Sequence, residues 1–181
     1  MESVQLTEIC TQKERKFTGR IIAAEHWKVT LPNGCEASRD VVLHPGASAI
    51  VAVDGEQRVT LVHQYRTPIQ SLTLELPAGK LDSPDEAPLA CAQRELREET
   101  GLIAECWEEL TAMWTTPGFC NEKITLFLAT GLSRCAASPD DDEFIEAERI
   151  ALSDAVSRVM RGEIRDAKTA LGILMAWKKL A

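Results

Sequence analysis

Glu95, Glu98 and Glu99 are spaced so that on a helix all three share one face. Like charges stacked this closely repel by a few tenths of a kcal/mol per pair, ~0.2–0.5, even when exposed. Hard divalent cations are the usual reason to gather them: magnesium takes carboxylate oxygens and completes its shell with water and phosphate oxygens. The plainer alternative is a solvated acidic face neutralised by Arg94 and Arg97. The residues upstream favour the metal. Leu76-Pro77-Ala78-Gly79-Lys80-Leu81 reads as a strand end running into a glycine turn, followed by Glu86 and then Arg94-Glu95.

These positions resemble the Nudix box, G-x5-E-x7-R-E-U-x-E-E-x-G-U with U aliphatic. Glu86, Arg94, Glu95, Leu96, Glu98, Glu99, Gly101 and Leu102 all fall on it. One departure is plain: six residues, not five, separate Gly79 from Glu86. Asp85 and Glu86 therefore both compete for the first acidic position, and Glu86 is chosen because its spacing to Arg94 fits. Outside the box, residues 115–129 (TTPGFCNEKITLFLA) resemble the ADP-ribose pyrophosphatase branch, in which a proline marks specificity; Pro117 occupies that position. Gly19–Ile22 (GRII), 44–47 (HPGA), 62–66 (VHQYR) and 162–169 (GEIRDAKT) resemble the same branch.

The resemblance implies a function and a set of roles. The reaction would be magnesium-dependent hydrolysis of ADP-ribose, or a related nucleoside diphosphate sugar, to AMP and ribose 5-phosphate; manganese could substitute. Ala78, through its carbonyl, would hold the metal with Glu95, Glu99 and Glu143. Glu98 would assist as a ligand or through water, and Arg94 would orient the box carboxylates. Arg66 and Lys80 would contact substrate, Arg66 at the phosphate or terminal ribose. Thr116, Pro117, Gly118 and Glu122 would line the ribose pocket. Arg39 and Asp40 would reach the ligand bound by the partner subunit of a domain-swapped homodimer. The general base would come from the acidic loop at 140–143, where Asp141 takes the place usually held by Glu; Glu143 and a box glutamate stay open as alternatives.

The elements that must position these residues can be read from pattern. Phe17–Ala24 and Trp27–Leu31 read as strands, with a turn at Pro32-Asn33-Gly34. Ala47–Val53 and Arg58–Gln64 read as a hairpin across Asp54-Gly55, and Leu72–Leu76 as a further strand. The box helix is expected from Pro88, which is tolerated at a first helical position, to a left-handed cap at Gly101. Its apolar face would be Leu89, Ala92 and Leu96, although Ser83 with Glu86 could also imitate a capping box. Strands are expected at Cys106–Thr115, Lys123–Thr130 and Glu146–Ala151, and 138–143 as a loop. Ser153-Asp154 would cap a short helix ending near Gly162, and Asp166 would open an amphipathic helix to about Leu180. Together with the resemblance, this predicts an α+β fold: a Nudix αβα sandwich with a mixed sheet over 45–181 and a small N-terminal β domain over 1–44.

Composition sets bounds. The 181 residues are 45% apolar, enough for a sizeable core. A formal charge of −8 argues against a nucleic-acid surface. No apolar run approaches the ~18 residues that cross a membrane. The six cysteines form no CxxC pair and, with no leader recognisable at Met1, are expected as reduced thiols in the cytoplasm. His26, His44 and His63 lack ligand spacing and are expected in structural roles. Trp27 could stack on a base or pack a dimer interface. Two rival readings are a Nudix enzyme for another dinucleotide and a non-catalytic ADP-ribose sensor. The intact Glu95, Glu98 and Glu99 argue against the sensor.

Overall fold

The structure is a computed structural model that describes residues 6–83, 85–135 and 144–180. The described residues fall into two compact units, one within Met1–Gly46 and Trp114–Lys123, the other within Ala47–Met113 and Ile124–Ala181.

In the first unit, β1 (Ile9–Thr18), β2 (Ala23–Thr30) and β3 (Glu36–Leu43) form an antiparallel sheet in that order. The run expected at Phe17–Ala24 is broken by a turn, where the Gly19 N–H donates to the Ile22 carbonyl at 2.8 Å. Strand β1 is exposed along its whole length, including Ile9 (61%) and Phe17 (55%). Residues Trp114–Lys123 join this unit through paired hydrogen bonds, Val42 N–H to the Phe119 carbonyl and Asn121 N–H to the Val42 carbonyl.

The second unit is built on a mixed sheet. Its elements are β4 (Ala47–Val53), β5 (Arg58–Arg66), β6 (Ser71–Glu75), β7 (Ala78–Lys80), α1 (Pro88–Thr100), β8 (Leu102–Trp114), β9 (Lys123–Arg134), β10 (Glu146–Ala151), α2 (Leu152–Met160) and α3 (Ala167–Leu180). The main strand order is β10-β5-β4-β9-β8, with β4 and β9 parallel. Along β4, alternate residues enter opposite cores, as a strand's two-residue period requires. Ala49, Val51 and Val53 pack with Leu152, Ala155, Ile173 and Ala176 of α2 and α3. Ile50 and Ala52 pack with Ala92 and Leu96 of α1. Helices on both faces make the αβα sandwich that the pattern predicts.

Strands β4 and β5 pair only at Ala52–Thr60 and Val53–Val59 and then diverge. The gap admits an excursion: β6 pairs with β5, β7 with β4, and the Ile50 N–H donates to the Pro77 carbonyl at 2.9 Å. What reads in sequence as a glycine turn is therefore partly strand. Its placement brings Glu75 toward α3 and Gly79 toward α1.

Two local expectations are corrected, and the choice of Pro88 over a capping box as the start of α1 holds. Helix α2 starts at Leu152, and Ser153-Asp154 provide no cap, because β10 runs straight into the helix and the Leu152 N–H is taken by the Gln57 carbonyl. Leu89 is exposed; Cys91 and Glu95 join Ala92 and Leu96 on the packed side of α1. Ser83 and Glu86 do not cap α1, which has Ala87 at its N-cap position; the Glu86 N–H bonds the Ser83 carbonyl in the preceding loop. The remaining ends agree: Gly101 adopts φ 63°, and Asp166 accepts from the Thr169 N–H at 3.0 Å. None of the six cysteines is in a disulfide.

Candidate metal centre and nucleotide site

Arg94 is the hub of the box. Its Nη1 donates to Glu95 Oε1 at 2.6 Å and to Glu98 Oε2 at 3.2 Å, and its Nε to Glu86 Oε1 at 3.2 Å. Asp82 adds a fourth carboxylate at 3.4 Å, and Nη2 reaches the Lys80 carbonyl at 3.2 Å. Burial lowers the guanidinium's basicity, but Glu86 and Glu95 outweigh it, so Arg94 stays protonated. Glu86 also accepts the Asp82 N–H at 2.7 Å, which ties the expanded loop to the helix. Of the two acids that compete for the first acidic position, Glu86 is the one Arg94 holds, at 3.2 Å.

The acidic and apolar faces of α1 overlap. Glu95 is only 7% exposed, and its carboxylate occupies the space a side chain on Gly79 would take: a Cβ there would lie 1.9 Å from Glu95 Oε1. Glu99 accepts the Ala78 N–H at 3.1 Å. Cys91 donates to the Gly79 and Lys80 carbonyls, and burial together with the Glu95 charge pushes its thiol up to about 11. It is a packing group, not a nucleophile. Among the described residues no three His, Cys, Asp or Glu side chains converge at ligand spacing. The donor set nevertheless fits a hard cation. Among the described residues four carboxylates meet one guanidinium, and Lys80 pairs with Asp82 at 3.2 Å, so the cluster carries excess negative charge that a divalent ion would offset. A groove of about 400 Å³ beside this face is lined by Gln93, Arg94, Arg97, Glu98, Ile103 and Trp107.

Arg66 donates through Nε and Nη2 to both oxygens of Glu75, at 2.8 and 2.7 Å. Burial pushes the Glu75 carboxyl up, but the bonds from Arg66 and the Lys168 ammonium outweigh it and hold it at about 2, from an ordinary 4.5. Neither Glu75 nor Lys168 is marked by sequence spacing; the available signal is their place in the strand run 72–76 and in GEIRDAKT at 162–169.

In the first unit, Arg39, Pro117 and Gly118 line a groove of about 420 Å³ with Trp27, Val29, Val41, Trp114 and Phe119. Arg39 ion-pairs with Glu8, and Lys13 lies 4.0 Å over the Trp27 ring. Asp40 points to the opposite face of β3, where it bonds His26 at 2.8 Å. Thr116 accepts from the N–H groups of Phe119 and Cys120 and so closes the loop. Glu122 accepts from Thr115 Oγ1 at 2.6 Å and lies 3.6 Å from His44 Nε2; the Gly46 N–H on Nδ1 puts the proton of neutral His44 on Nε2. His63 bonds Glu148 at 2.8 Å. Each histidine thus has a carboxylate partner. Asp141 and Glu143, with the rest of the acidic loop at 140–143, lie outside the described residues.

A carboxylate-bearing helix on a mixed sheet, with its arginine hub and glycine cradle, defines a nucleotide-hydrolase type of site. The chain belongs to the Nudix family: the model of the NUDIX domain matches residues 42–171. It is 42% identical over 170 residues to the ADP-ribose pyrophosphatase of Bacillus subtilis (strain 168), covering 93% of this chain and 91% of that one. It is 40% identical to the ADP-ribose pyrophosphatase of Mycobacterium tuberculosis (89% and 79% covered) and to the methanol dehydrogenase activator of Bacillus methanolicus (88% and 87%). A crystal structure of an ADP compounds hydrolase shares the fold with a TM-score of 0.86 at 20% identity, covering 99% and 97%. Hydrolases of this family generally depend on a divalent metal.

Proposed function

We propose that this protein hydrolyses the diphosphate of ADP-ribose, or of a closely related nucleoside diphosphate sugar, to AMP and ribose 5-phosphate with magnesium as its metal. The observation that carries the reading is the charge imbalance at α1: Glu86, Glu95 and Glu98 around one Arg94, with Glu99 beside them on the Ala78 N–H. Glu95, Glu99 and the Ala78 carbonyl would hold the cation, with Glu143 from the loop. When bound, it supplies Lewis-acid polarisation of phosphoryl oxygens and activation of water.

The chain's own residues do the rest. Arg94 keeps Glu95 and Glu98 in register. Arg66 and Lys80 receive the diphosphate's negative charge. Thr116, Pro117, Gly118 and Glu122 hold the ribose, and Asp141 takes the proton from the attacking water. The exposed edge strand β1, with Ile9 and Phe17 open, supports a homodimer in which a second copy covers it and in which Arg39 and Asp40 serve the partner's ligand. No described helix is long and apolar enough to cross a membrane.

The test is chromatographic detection of AMP and ribose 5-phosphate from ADP-ribose, with GDP-mannose and other nucleoside diphosphate derivatives alongside. Activity should vanish with chelator and return with magnesium or manganese. Glu99→Gln should fold normally and lose most turnover, since an amide is a poor cation ligand. Tight ADP-ribose binding without any AMP release would instead establish the sensor reading.

A further inference from the structure

Glu75 is 3% exposed and every approach to its carboxylate is taken. Arg66 holds both oxygens, Thr73 Oγ1 donates to Oε1 at 2.6 Å, and the Lys168 ammonium sits on Oε2. Lys168, itself buried, also bonds Asp166 Oδ2 at 2.9 Å. Asp166 accepts the Thr169 hydroxyl at 2.5 Å, and that hydroxyl oxygen accepts the Leu76 N–H at 2.8 Å. The chain of bonds therefore runs from Arg66 on β5, through the start of α3, to Leu76. Two residues on is Ala78, whose N–H bonds Glu99.

Stability alone does not account for this arrangement. Two carboxylates and an ammonium withdrawn from water cost about as much as their attraction returns, and well-packed apolar residues often do as well or better. What the network does fix is Arg66. A planar guanidinium presents more than one donor edge, and Glu75 takes the Nε/Nη2 edge, which leaves Nη1 on another edge of the same plane. The Arg66 side chain is 40% exposed, against 3% for Glu75, so the pairing does not enclose it. Paired to Glu75 alone, Arg66 would offer a second anion little attraction, because Glu75 would repel it. Lys168 divides its charge between Glu75 and Asp166, so it offsets part of the Glu75 charge and leaves Arg66 more attractive to a second anion than Glu75 alone would.

We propose that Glu75 and Lys168 are positioning residues that clamp one edge of Arg66 and present the other, pre-formed, to the substrate's diphosphate. This rests on the pyrophosphatase reading above. A fork held in place before binding loses little freedom when the oxyanion arrives, so the clamp acts on affinity.

The test is Lys168→Met, which keeps the stem and removes the charge, in the full chain with magnesium. KM for ADP-ribose should rise roughly tenfold to a hundredfold, the weight of one charge-assisted bond, with kcat within about threefold. Lys168→Arg should recover part of the loss. Arg66→Lys should give a similar rise, and the double variant should be little worse than either single one, since both break one unit. Inorganic pyrophosphate, titrated calorimetrically, should bind more weakly to Lys168→Met, while adenosine should not discriminate. Unchanged KM and pyrophosphate affinity with only a lower melting temperature would make the network purely structural and overturn the inference; so would additive effects. If the wild type cleaves no ADP-ribose but Lys168→Met still weakens pyrophosphate binding, the substrate reading fails and the clamp stands.

Discussion

Gly79→Ala is the most searching single change at the carboxylate face. A Cβ built on Gly79 lies 1.9 Å from Glu95 Oε1, 2.0 Å from Cδ and 2.5 Å from Oε2. Real contacts of this kind stay beyond 3.0 Å, so the carboxylate must retreat by about 1 Å or more. It cannot move freely, because Arg94 Nη1 grips Oε1 at 2.6 Å and the side chain is buried. The retreat breaks or lengthens that charge-assisted bond, and overpacking of this size costs ~1–3 kcal/mol of stability. Activity should suffer more than stability, since misplacing a group by ~1 Å at a catalytic centre lowers rate by about 10²-fold. The assay pairs kcat/KM for ADP-ribose over a magnesium titration with urea denaturation of the same preparation. Expected is a cooperative transition shifted to lower urea, a fall in kcat/KM of about two orders of magnitude and a raised magnesium requirement. Wild-type kinetics in a folded Gly79→Ala protein would refute the placement of Glu95 against this turn and, with it, the metal face.

Other outcomes follow from particular groups. Glu75 titrates at about 2 in the folded chain against an ordinary 4.5, so its contribution to stability is complete above pH ~4.5 and is lost as pH falls toward 2. Allowing for solvent screening it is worth ~2–3 kcal/mol, and urea midpoints at pH 6 and pH 3 should differ less in Glu75→Gln than in the wild type; equal differences would remove the Arg66–Glu75–Lys168 pairing from the account. Asp141→Asn should lower kcat by roughly 10²–10⁴ with little change in affinity, whereas Glu143→Gln should raise the magnesium requirement; if both are silent in steady-state assays, Glu98 becomes the candidate base. Light scattering at micromolar concentration should report a dimer, and Phe17→Asp on the exposed strand β1 should shift it toward monomer. A fully active wild-type monomer would contradict the dimer.

The nearly continuous apolar run of β4, the Asp54-Gly55 hairpin, Pro88 at the first turn of α1 and Gly101 at its end are local signals, and each could be read because its physics acts within a few residues. The spacing of Glu95, Glu98 and Glu99 likewise fixed which carboxylates share a helical face. Chain order could not show that β4 and β5 part after Ala52 and Thr60, because strand divergence depends on what fills the gap. It therefore gave no sign that Ala78–Lys80 is a strand, that Glu95 rests in the space Gly79 leaves, or that Leu89 faces solvent while Cys91 packs inward. Lys168 and Glu75 are 93 residues apart in sequence, and nothing in either neighbourhood signals the other. They meet because α3 must bury Ile173 and Ala176 against the sheet, which carries the start of that helix, and its lysine, onto the end of β6. Spacing along a helix is a covalent property, whereas a partner across the core exists only after apolar burial has chosen which surfaces close.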